Sequence, residues 1–313
     1  MTSLSKTYRP TMSSADPPLS FSPSSAAPIR HTLHSGYVPL FLRLSHTCLS
    51  SPHPPPPVPV LAPRSSYLHV CCAEALESLS ECAVQSSLGA WFVDRSGGGS
   101  DQSPLRWTVP VGVLFDGRRE KSSLPWTLEV NFGRYPADYI PTVSSLGREE
   151  IFRHHLHSVK QSLFILTGGS SAALTSLNRA LSENLWKSLS VGDGMGYDSS
   201  LRGIVPAGID VQRVPVRIYV SEWDETGPAR CLQRPVEPFL KSMGKRGVRS
   251  SLQHVLEEWL GPGLFHCGSS EGRIMRCTVQ GVTVPMDAVM ADLWEWLMHP
   301  DLFLYVNVVL GDK

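Results

Sequence analysis

The clearest hydrophobic pattern lies in the last third of the chain, where apolar residues recur with the period of a strand and then with that of a helix. Runs rich in β-branched and aromatic residues predict strands, and apolar residues three and four apart predict helices. The strand-type segments are 214–220, 231–236, 274–279 and 302–310, and the helix-type segments are 252–260 and 288–298. This order is typical of a mixed sheet wrapped over a helix, the β-grasp or ubiquitin-like arrangement. We therefore predict a ubiquitin-like domain over residues 205–313.

A shorter version of the same pattern lies between residues 28 and 133. Residues 29–33 and 38–44 resemble two strands around Ser35 and Gly36, which predicts a hairpin. The segments that follow are a β-prone stretch at 67–70, a helix at 72–84, a β-prone stretch at 91–93, an apolar run at 109–115 counted among the strands, and an alternating strand at 126–132. We interpret 28–133 as a first ubiquitin-like domain, with a proline-rich insert near 50–63 as a surface loop.

Between the two patterns lies a basic, histidine-rich segment, residues 148–166, with one apolar helical stripe. The stripe consists of Phe152, Leu156, Val159, Leu163 and Leu166. At about 100° per residue, Lys160 projects about 40° outside Leu156, where its stem can lie on apolar surface while its ammonium stays in water. Such a lysine is open to another protein, or it is a solvated surface residue without a role. A second amphipathic helix over 172–189 should pair with the first, giving a helix-rich domain over 134–200.

Residues 1–66 differ from the rest of the chain in composition. They hold 13 of the 26 prolines, many serines and one acidic residue, Asp16. The apolar content before Pro28 is too low to offset the entropy lost on ordering the chain. We therefore predict a disordered tail over residues 1–27.

Charge, cysteine content and the lengths of apolar runs indicate which partners and which cell compartment to expect. Lys and Arg total 28, as do Asp and Glu, so the formal net charge is zero and no global field favours a nucleic acid. The seven cysteines are odd in number and form no C-x-x-C pair, which indicates a reducing compartment. No apolar run approaches the length of a membrane span. These features predict a cytoplasmic protein whose partners are recognised locally.

Three further patterns suggest other chemistry. His154, His155 and His157 lie close together, but no companion ligand has a spacing that fits zinc, so we interpret them as a solvated basic face and expect no metal. The glycines between 192 and 196 resemble part of a phosphate loop, yet no strand precedes them and no G-K-[ST] follows. We interpret that segment as a linker and expect no cofactor. A cysteine-dependent enzyme is a third possibility, although no cysteine has a recognisable histidine and acid context.

Several strings of residues resemble the autophagy protein 5 family, and they cover about residues 60–310 in the family's order. The strings are PRSSYLHV (63–70), PLRWTVPVGVLFDG (104–117), LPWTLEVNF (124–132), RVPVRIYV (213–220), VQGVTVPMD (279–287) and HPDLFLYVNVVL (299–310). The LPW strand and the closing strand are the most specific of them. The resemblance implies an α+β fold with two ubiquitin-like (β-grasp) domains flanking a helix-rich domain.

The resemblance also implies a non-catalytic role. In the family, E1-like and E2-like enzymes join the C-terminal glycine of the ubiquitin-like autophagy protein 12 to one lysine, which aligns with Lys160 here. A helix of the coiled-coil autophagy protein 16 lies in a groove between the domains. The E3-like complex promotes lipidation of the ubiquitin-like autophagy protein 8 and autophagosome formation. Its expected locations are the cytoplasm and, peripherally, the preautophagosomal structure membrane.

Two arginines match the family's pattern, and the start of the chain differs from it. Arg64 and Arg213 match basic positions that in the family face acidic residues of the partner helix, although each is equally open to interpretation as an ordinary edge-strand arginine. Family members begin with a short helix carrying a Trp and then Gly-x-Ile-Pro before the first strand. Only the Pro28-Ile29 pair suggests this here. The alternative to the family role is an unrelated β-grasp interaction scaffold with no covalent partner.

Overall fold

The computed structural model describes eleven stretches of the chain. They are residues 20–21, 26–84, 89–95, 103–118, 124–143, 147–170, 177–205, 209–222, 229–240, 247–261 and 274–311. Most of the predicted tail, residues 1–19 and 22–25, therefore lies outside the described residues. A short strand within it, β1 (Ser20–Phe21), pairs antiparallel with β6 (Ile209–Asp210).

The first ubiquitin-like domain, hereafter the first domain, is built on a four-stranded sheet. Its elements are β2 (Tyr37–Leu44), a 3-10 turn (His46–Cys48), β3 (Val58–Pro63), α2 (Leu68–Cys71), α3 (Ala73–Glu81), β4 (Trp91–Asp94), α4 (Val111–Asp116) and β5 (Trp126–Asn131). The strand order is β3-β2-β5-β4. The first strand β2 and the last strand β5 run parallel at the centre, and the other two pairings are antiparallel. This is the strand arrangement expected of a β-grasp.

The second ubiquitin-like domain, hereafter the second domain, repeats that arrangement with one additional short strand. Its elements are β7 (Val214–Glu222), β8 (Arg230–Val236), α8 (Leu252–Leu260), β9 (Ile274–Val279), β10 (Val282–Thr283), α9 (Met290–Leu297) and β11 (Leu304–Leu310). The strand order is β10-β9-β11-β7-β8, with β7 and β11 parallel at the centre. The predicted α+β class, with two β-grasp domains flanking a helix-rich region, is confirmed.

The helix-rich region consists of α5 (Arg148–Leu166), α6 (Arg179–Val191) and α7 (Gly194–Ile204). The interpretation of the glycines between 192 and 196 as a linker was wrong, because most of that segment is the first turn of α7. Gly192, with a φ of 73°, ends α6, and the Asp193 side chain accepts a hydrogen bond from the Gly196 N–H at the start of α7. A Cβ at Gly194 would lie 3.2 Å from the backbone oxygen of His31, so a glycine here permits a close helix contact.

Helix α1 (Ala27–His34) replaces the first strand of the predicted hairpin. Pro28 occupies its first turn, where a missing N–H costs nothing, and the helix buries Arg30 and His34. Arg30 Nε donates to Asp198 on α7, and Arg30 Nη1 donates to the Glu295 carbonyl on α9. These contacts with distant parts of the chain determine the helix, so the local strand-like pattern was misleading.

Three other predictions in the first domain were wrong. The β-prone stretch at 67–70 contributes to α2, and the apolar run at 109–115 forms most of α4. A short, continuous apolar run does not distinguish a buried helix from a buried strand. The proline-rich insert is a loop only up to residue 57, because Val58–Pro63 is the edge strand β3.

Helix α4 is buried on two sides, which explains its apolar sequence. Val111 belongs to the core of the first domain. Val113 packs with Phe303 and Tyr305 on the outer face of the second sheet. This short helix is therefore one of the contacts between the two ubiquitin-like domains.

Candidate functional site

Lys160 lies on the solvent face of α5, as its position in the sequence predicts. Besides Arg148 at its start, the exposed residues of this helix follow one another at helical spacing from the first turn to the last, and they are Glu149, Arg153, His157, Lys160 and Phe164. Glu149 and Arg153 form an ion pair at 2.9 Å. Within the described part of the chain, Lys160 has no ion-pair partner. Its amine is therefore open to a molecule that approaches from solvent.

The histidines of α5 do not form the predicted solvated basic face. Only His157 is exposed, whereas His155 is fully buried with its Nδ1 3.3 Å from the Tyr67 hydroxyl. The ring of His154 lies edge-on to Trp107. Burial lowers the pKa of His154 to about 4 and that of His155 to about 3, so both imidazoles are neutral near pH 7. No metal-binding cluster of His, Cys, Asp and Glu occurs among the described residues.

The buried face of α5 is partly polar because three regions of the molecule meet around this helix. Tyr67 of the first domain contacts it at His155, and Trp186 of α6 lies against Phe152 and His155. Ser158 and Ser162, both fully buried, face the second domain. The apolar stripe predicted from the sequence is only partly the buried face, because Phe152 and Leu156 are half-exposed.

Arg64 lies between the two ubiquitin-like domains rather than at an open rim. Its Nη2 donates to Asp116 at 2.5 Å, and burial raises the pKa of that carboxyl although Arg64 acts in the opposite direction. Three glycines make room for the side chain. A Cβ at Gly36, Gly112 or Gly281 would lie 2.9, 3.0 or 2.8 Å from an Arg64 atom. Gly281 belongs to the turn of the second domain, so Arg64 joins the two domains.

Arg213 immediately precedes β7 and is about half exposed. Its Nε donates to Glu237 at 3.1 Å across the β7–β8 pair. This exposed pair can open in water, so Arg213 is available to a carboxylate of another molecule. The two arginines thus have different surroundings, and their role toward a partner helix stays a prediction.

An apolar surface on the first domain is absent from the sequence predictions. We name it the β2–β3 patch; its residues are Tyr37, Pro39, Phe41, Pro59 and Leu61. These residues alternate with buried or partly buried ones, so they share the outer face of the sheet, and Leu61 is 62% exposed. Pro39 lies opposite Leu61 and Phe41 lies opposite Pro59. A cluster of exposed apolar residues of this kind marks an interaction surface.

Helices α6 and α7 extend this apolar surface. A Cβ at Gly192 between them would lie 3.1 Å from Pro63 Cβ and 3.2 Å from the Tyr37 hydroxyl oxygen. Val191 and Met195, on either side of Gly192, are 59% and 71% exposed. The patch therefore continues from the first sheet onto the helix-rich region. The sequence signal that could have revealed the patch lies in residues 37–41. In an alternating strand one set of residues faces the core and the other faces solvent, and here both sets are apolar.

Two cysteines are poor candidates for a nucleophile. Cys72 is fully buried, and its pKa is raised well above the usual value by a hydrogen bond with Cys71 and by burial. Burial raises the pKa of Cys277 to about 12. Both thiols are therefore held in the protonated, unreactive form.

Comparison with known families gives three matches in succession along the chain. They are the models "Autophagy protein ATG5, UblA domain" at residues 33–132, "Autophagy protein ATG5, alpha-helical bundle region" at 148–206 and "Autophagy protein ATG5, UblB domain" at 213–308. A curated relative from Scheffersomyces stipitis named autophagy protein 5 is 31% identical over 265 residues, with 79% of this chain and 86% of the relative covered. The chain belongs to the autophagy protein 5 family.

Other members of the autophagy protein 5 family support this. Autophagy protein 5 from Arabidopsis thaliana is 25% identical over 334 residues and is covered over 95% of its length, with 88% of this chain covered. The crystal structure of Kluyveromyces marxianus Atg5 has the same fold, with a TM-score of 0.70 at 22% identity, covering 91% of this chain and 99% of that one. Membership of this family gives the protein a role in autophagy, as a partner in its conjugation machinery.

Pro28 and Ile29 lie in the first turn of α1, so this pair does not lead into the first strand. The short helix α1 is followed at once by Gly36-Tyr37-Val38-Pro39, which leads into β2. Across the described ranges, the helices are too short or too polar to span a bilayer.

Proposed function

We propose that this protein is the acceptor of the ubiquitin-like autophagy protein 12 and that Lys160 forms the isopeptide bond. The observation that carries the proposal is the exposed amine of Lys160 on a helix held from three sides. Such a helix presents its amine in one orientation. Family membership supports the same role, because the lysine that aligns with Lys160 is the acceptor in the family.

The reaction is an aminolysis. The Lys160 Nζ attacks the thioester carbonyl of the modifier's C-terminal glycine, a C–N bond forms, the C–S bond breaks, and the cysteine thiolate of the E2-like enzyme leaves. The amine also loses a proton. A lysine amine attacks only in its neutral form, which is scarce in water at neutral pH. Deprotonation and approach therefore come from the E1-like and E2-like enzymes, and the acceptor itself is non-catalytic.

The β2–β3 patch supports a second part of the proposal, the binding of the autophagy protein 16 helix. A helix binds best by placing an apolar face on an apolar surface. The patch and the adjoining Val191 and Met195 offer such a surface between the first domain and the helix-rich region. Apolar residues should provide most of the affinity, while Arg213 contributes specificity and association rate.

The assembled complex would act as an E3-like factor in lipidation of autophagy protein 8. It would work in the cytoplasm and peripherally at the preautophagosomal structure membrane. This part rests on family membership alone. The competing function, a β-grasp interaction scaffold, predicts no covalent product.

The test is reconstitution with autophagy protein 12 and its E1-like and E2-like enzymes, followed by mass measurement under reducing conditions. Lys160→Arg keeps the positive charge but removes a reactive amine, so conjugation should be abolished. The fold and partner-helix binding should be unchanged. The matched control is Lys187→Arg on α6, another exposed lysine, which should conjugate at the wild-type rate. Wild-type conjugation by the Lys160→Arg protein would overturn the assignment, and no conjugate with the wild-type protein would favour the scaffold.

A further inference from the structure

Arg217 of β7 is the centre of a polar network on the face of the second sheet that α5 covers. Its Nε donates to Gln233 Oε1 at 2.7 Å, and its Nη1 donates to Asp301 Oδ2 at 3.2 Å and to the Tyr305 hydroxyl at 2.6 Å. The Tyr305 hydroxyl also donates to Asp301 Oδ2 at 2.6 Å. These contacts fix the guanidinium on the sheet.

The remaining donors of Arg217 reach α5. Its Nη2 lies 3.2 Å from Ser158 Oγ and 3.4 Å from Gln161 Oε1. One turn further, the Ser162 hydroxyl donates to the Asp301 carbonyl at 2.6 Å. A guanidinium has five N–H donors in a rigid plane, and these five contacts of Arg217 can occupy all of them. Arg217 therefore links the sheet to Ser158 and Gln161 of the helix, and the Asp301 carbonyl adds a link to Ser162.

The network is shielded from water. Arg217 is 7% exposed, Ser158 and Ser162 are fully buried, and the guanidinium carbon lies 3.7 Å from the centre of the Phe303 ring. Hydrogen bonds in such surroundings are stronger and more directional than on a surface. An arginine–carboxylate pair alone is weak support for stability, but this network also sets the rotation of one helix.

Lys160 lies on the opposite side of that helix. At 100° per residue, it is about 160° around the axis from both Ser158 and Ser162. A rotation of α5 by about 20° would move a group about 6 Å from the axis by about 2 Å. Misplacement of reacting groups by about 1 Å can slow a reaction about a hundredfold. Small changes in the buried contacts of α5 can therefore displace the exposed amine of Lys160.

We propose that Arg217 is a positioning residue for the modification of Lys160. It holds Ser158 on the buried face and Gln161 at the edge of that face, so that the amine on the solvent face points in one direction. This inference rests on the proposed function, because it assumes that Lys160 is the acceptor. It assigns to the second domain a part in the reaction, namely the orientation of the acceptor helix.

Two variants test it in the full chain with the thioester-charged E2-like enzyme. Arg217→Lys retains a charge beside Asp301 but loses the planar fork that reaches α5. The double variant Ser158→Ala with Ser162→Ala leaves Arg217, Asp301 and Tyr305 in place and removes hydroxyls of the helix. In both, kcat should fall about 10- to 100-fold while KM changes little, because the exposed surface that meets the enzyme is intact.

Two controls separate positioning from general stability. Arg249→Lys makes the same substitution at an exposed ion pair of the second domain, with Asp292. Leu128→Ala destabilises the core of the first domain, which contains no residue of α5. Both should keep the wild-type kcat at a temperature where all variants are folded. Amide exchange along α5 should accelerate in the two test variants and remain unchanged in the controls.

The outcomes distinguish the two proposals. Wild-type kcat in both test variants, together with loss of conjugation in Lys160→Arg, would overturn the positioning role and leave the proposed function intact. An equal loss of kcat in Leu128→Ala would also overturn it, because destabilisation alone would then explain the effect. If Lys160→Arg still conjugates, the proposed function fails, and the positioning role of Arg217 toward Lys160 fails with it.

Discussion

The two ubiquitin-like domains have the same central strand order but differ in how many faces of the sheet are covered. Every residue of β11 in the second domain is buried, so both faces of that strand are covered. Along β2 in the first domain, buried residues alternate with outward residues that are half-exposed or exposed. The central strand of the second sheet is thus enclosed on both faces, whereas the first sheet has an open apolar face.

The cause is the arrangement of the helices. Helices α8 and α9 pack on the inner face of the second sheet, while α4 of the first domain and Ile165 of α5 cover its outer face. The outer face of the first sheet instead carries the β2–β3 patch. The edge strand β3 holds Pro59 and Pro63, which lack an N–H and discourage pairing with another strand. The open apolar face of the first domain agrees with the proposed binding of a partner helix there, and the covered face of the second domain supports α5.

Acid should have the largest effect, because buried histidines with a lowered pKa lie in the first domain, in α5 and, at His299, in the second domain. Burial lowers the pKa of His34 and His69 to about 4, as for His154 on α5. A histidine of the unfolded chain binds a proton below a pKa of about 6.5, whereas the same histidine in the folded chain stays neutral down to about pH 4. The folded state therefore loses stability as the pH falls from 6.5 toward 4. The loss is roughly 2 kcal/mol per imidazole between pH 6.5 and pH 5.

Hydrogen exchange at pH 7 and pH 5 would measure this effect. Helices α1, α2 and α5 carry three of these histidines, and His299 lies shortly before β11, so protection should fall in all three regions of the molecule. Protection lost in one ubiquitin-like domain alone would contradict a contribution from the buried imidazole of the other. Stability independent of pH over this range would show that the buried imidazoles make no such contribution.

Alanine substitutions on the two sheets should give the next largest effects. In β11, Val308→Ala and Val309→Ala should each cost about 1.5 to 3 kcal/mol, because they point to opposite and equally buried faces. In β2, Leu42→Ala should cost about 2 to 5 kcal/mol, whereas Phe41→Ala should cost less than about 0.5 kcal/mol. Denaturant unfolding of the four variants would test this. A large cost at Phe41 would mean that the open face is covered.

The β2–β3 patch should affect binding without affecting stability. Replacing Phe41 and Leu61 with serine should weaken binding of the autophagy protein 16 helix about 10- to 100-fold, since buried apolar anchors dominate the affinity of such interfaces. Isothermal titration would measure the affinity. The control is Val248→Ser, which changes a residue that is 58% exposed on the second domain. Equal weakening by the control would remove the patch from the interface.

The smallest effect is expected at Arg213. Because its ion pair with Glu237 is half-exposed, Arg213→Ala should change the free energy of unfolding by less than about 1 kcal/mol. Any effect on partner binding should be larger at low salt than at high salt. A salt-independent loss of affinity would indicate a packing role instead.

The sequence predicted the elements whose periodicity is set by one buried face. Helix α5, helix α8 and strand β9 have the predicted bounds. The errors lie where contacts distant in sequence decide the structure. Helix α1 depends on the buried Arg30, and helix α4 is apolar because two domains enclose it. The exposure of Lys160 followed from helical geometry, whereas the position of Arg64 between the domains required the tertiary structure.

The packing of helix α4 also affects whether the first domain can be produced without the second domain. Val109 and Val113 pack on Phe303 and Tyr305, not within the first domain. A chain shortened before β7 would leave these two valines in water, in addition to the open β2–β3 patch. Such a fragment would be prone to self-association, so its solubility would depend on residues that its own core does not use. Polar substitutions at these two valines should make the fragment soluble as a monomer.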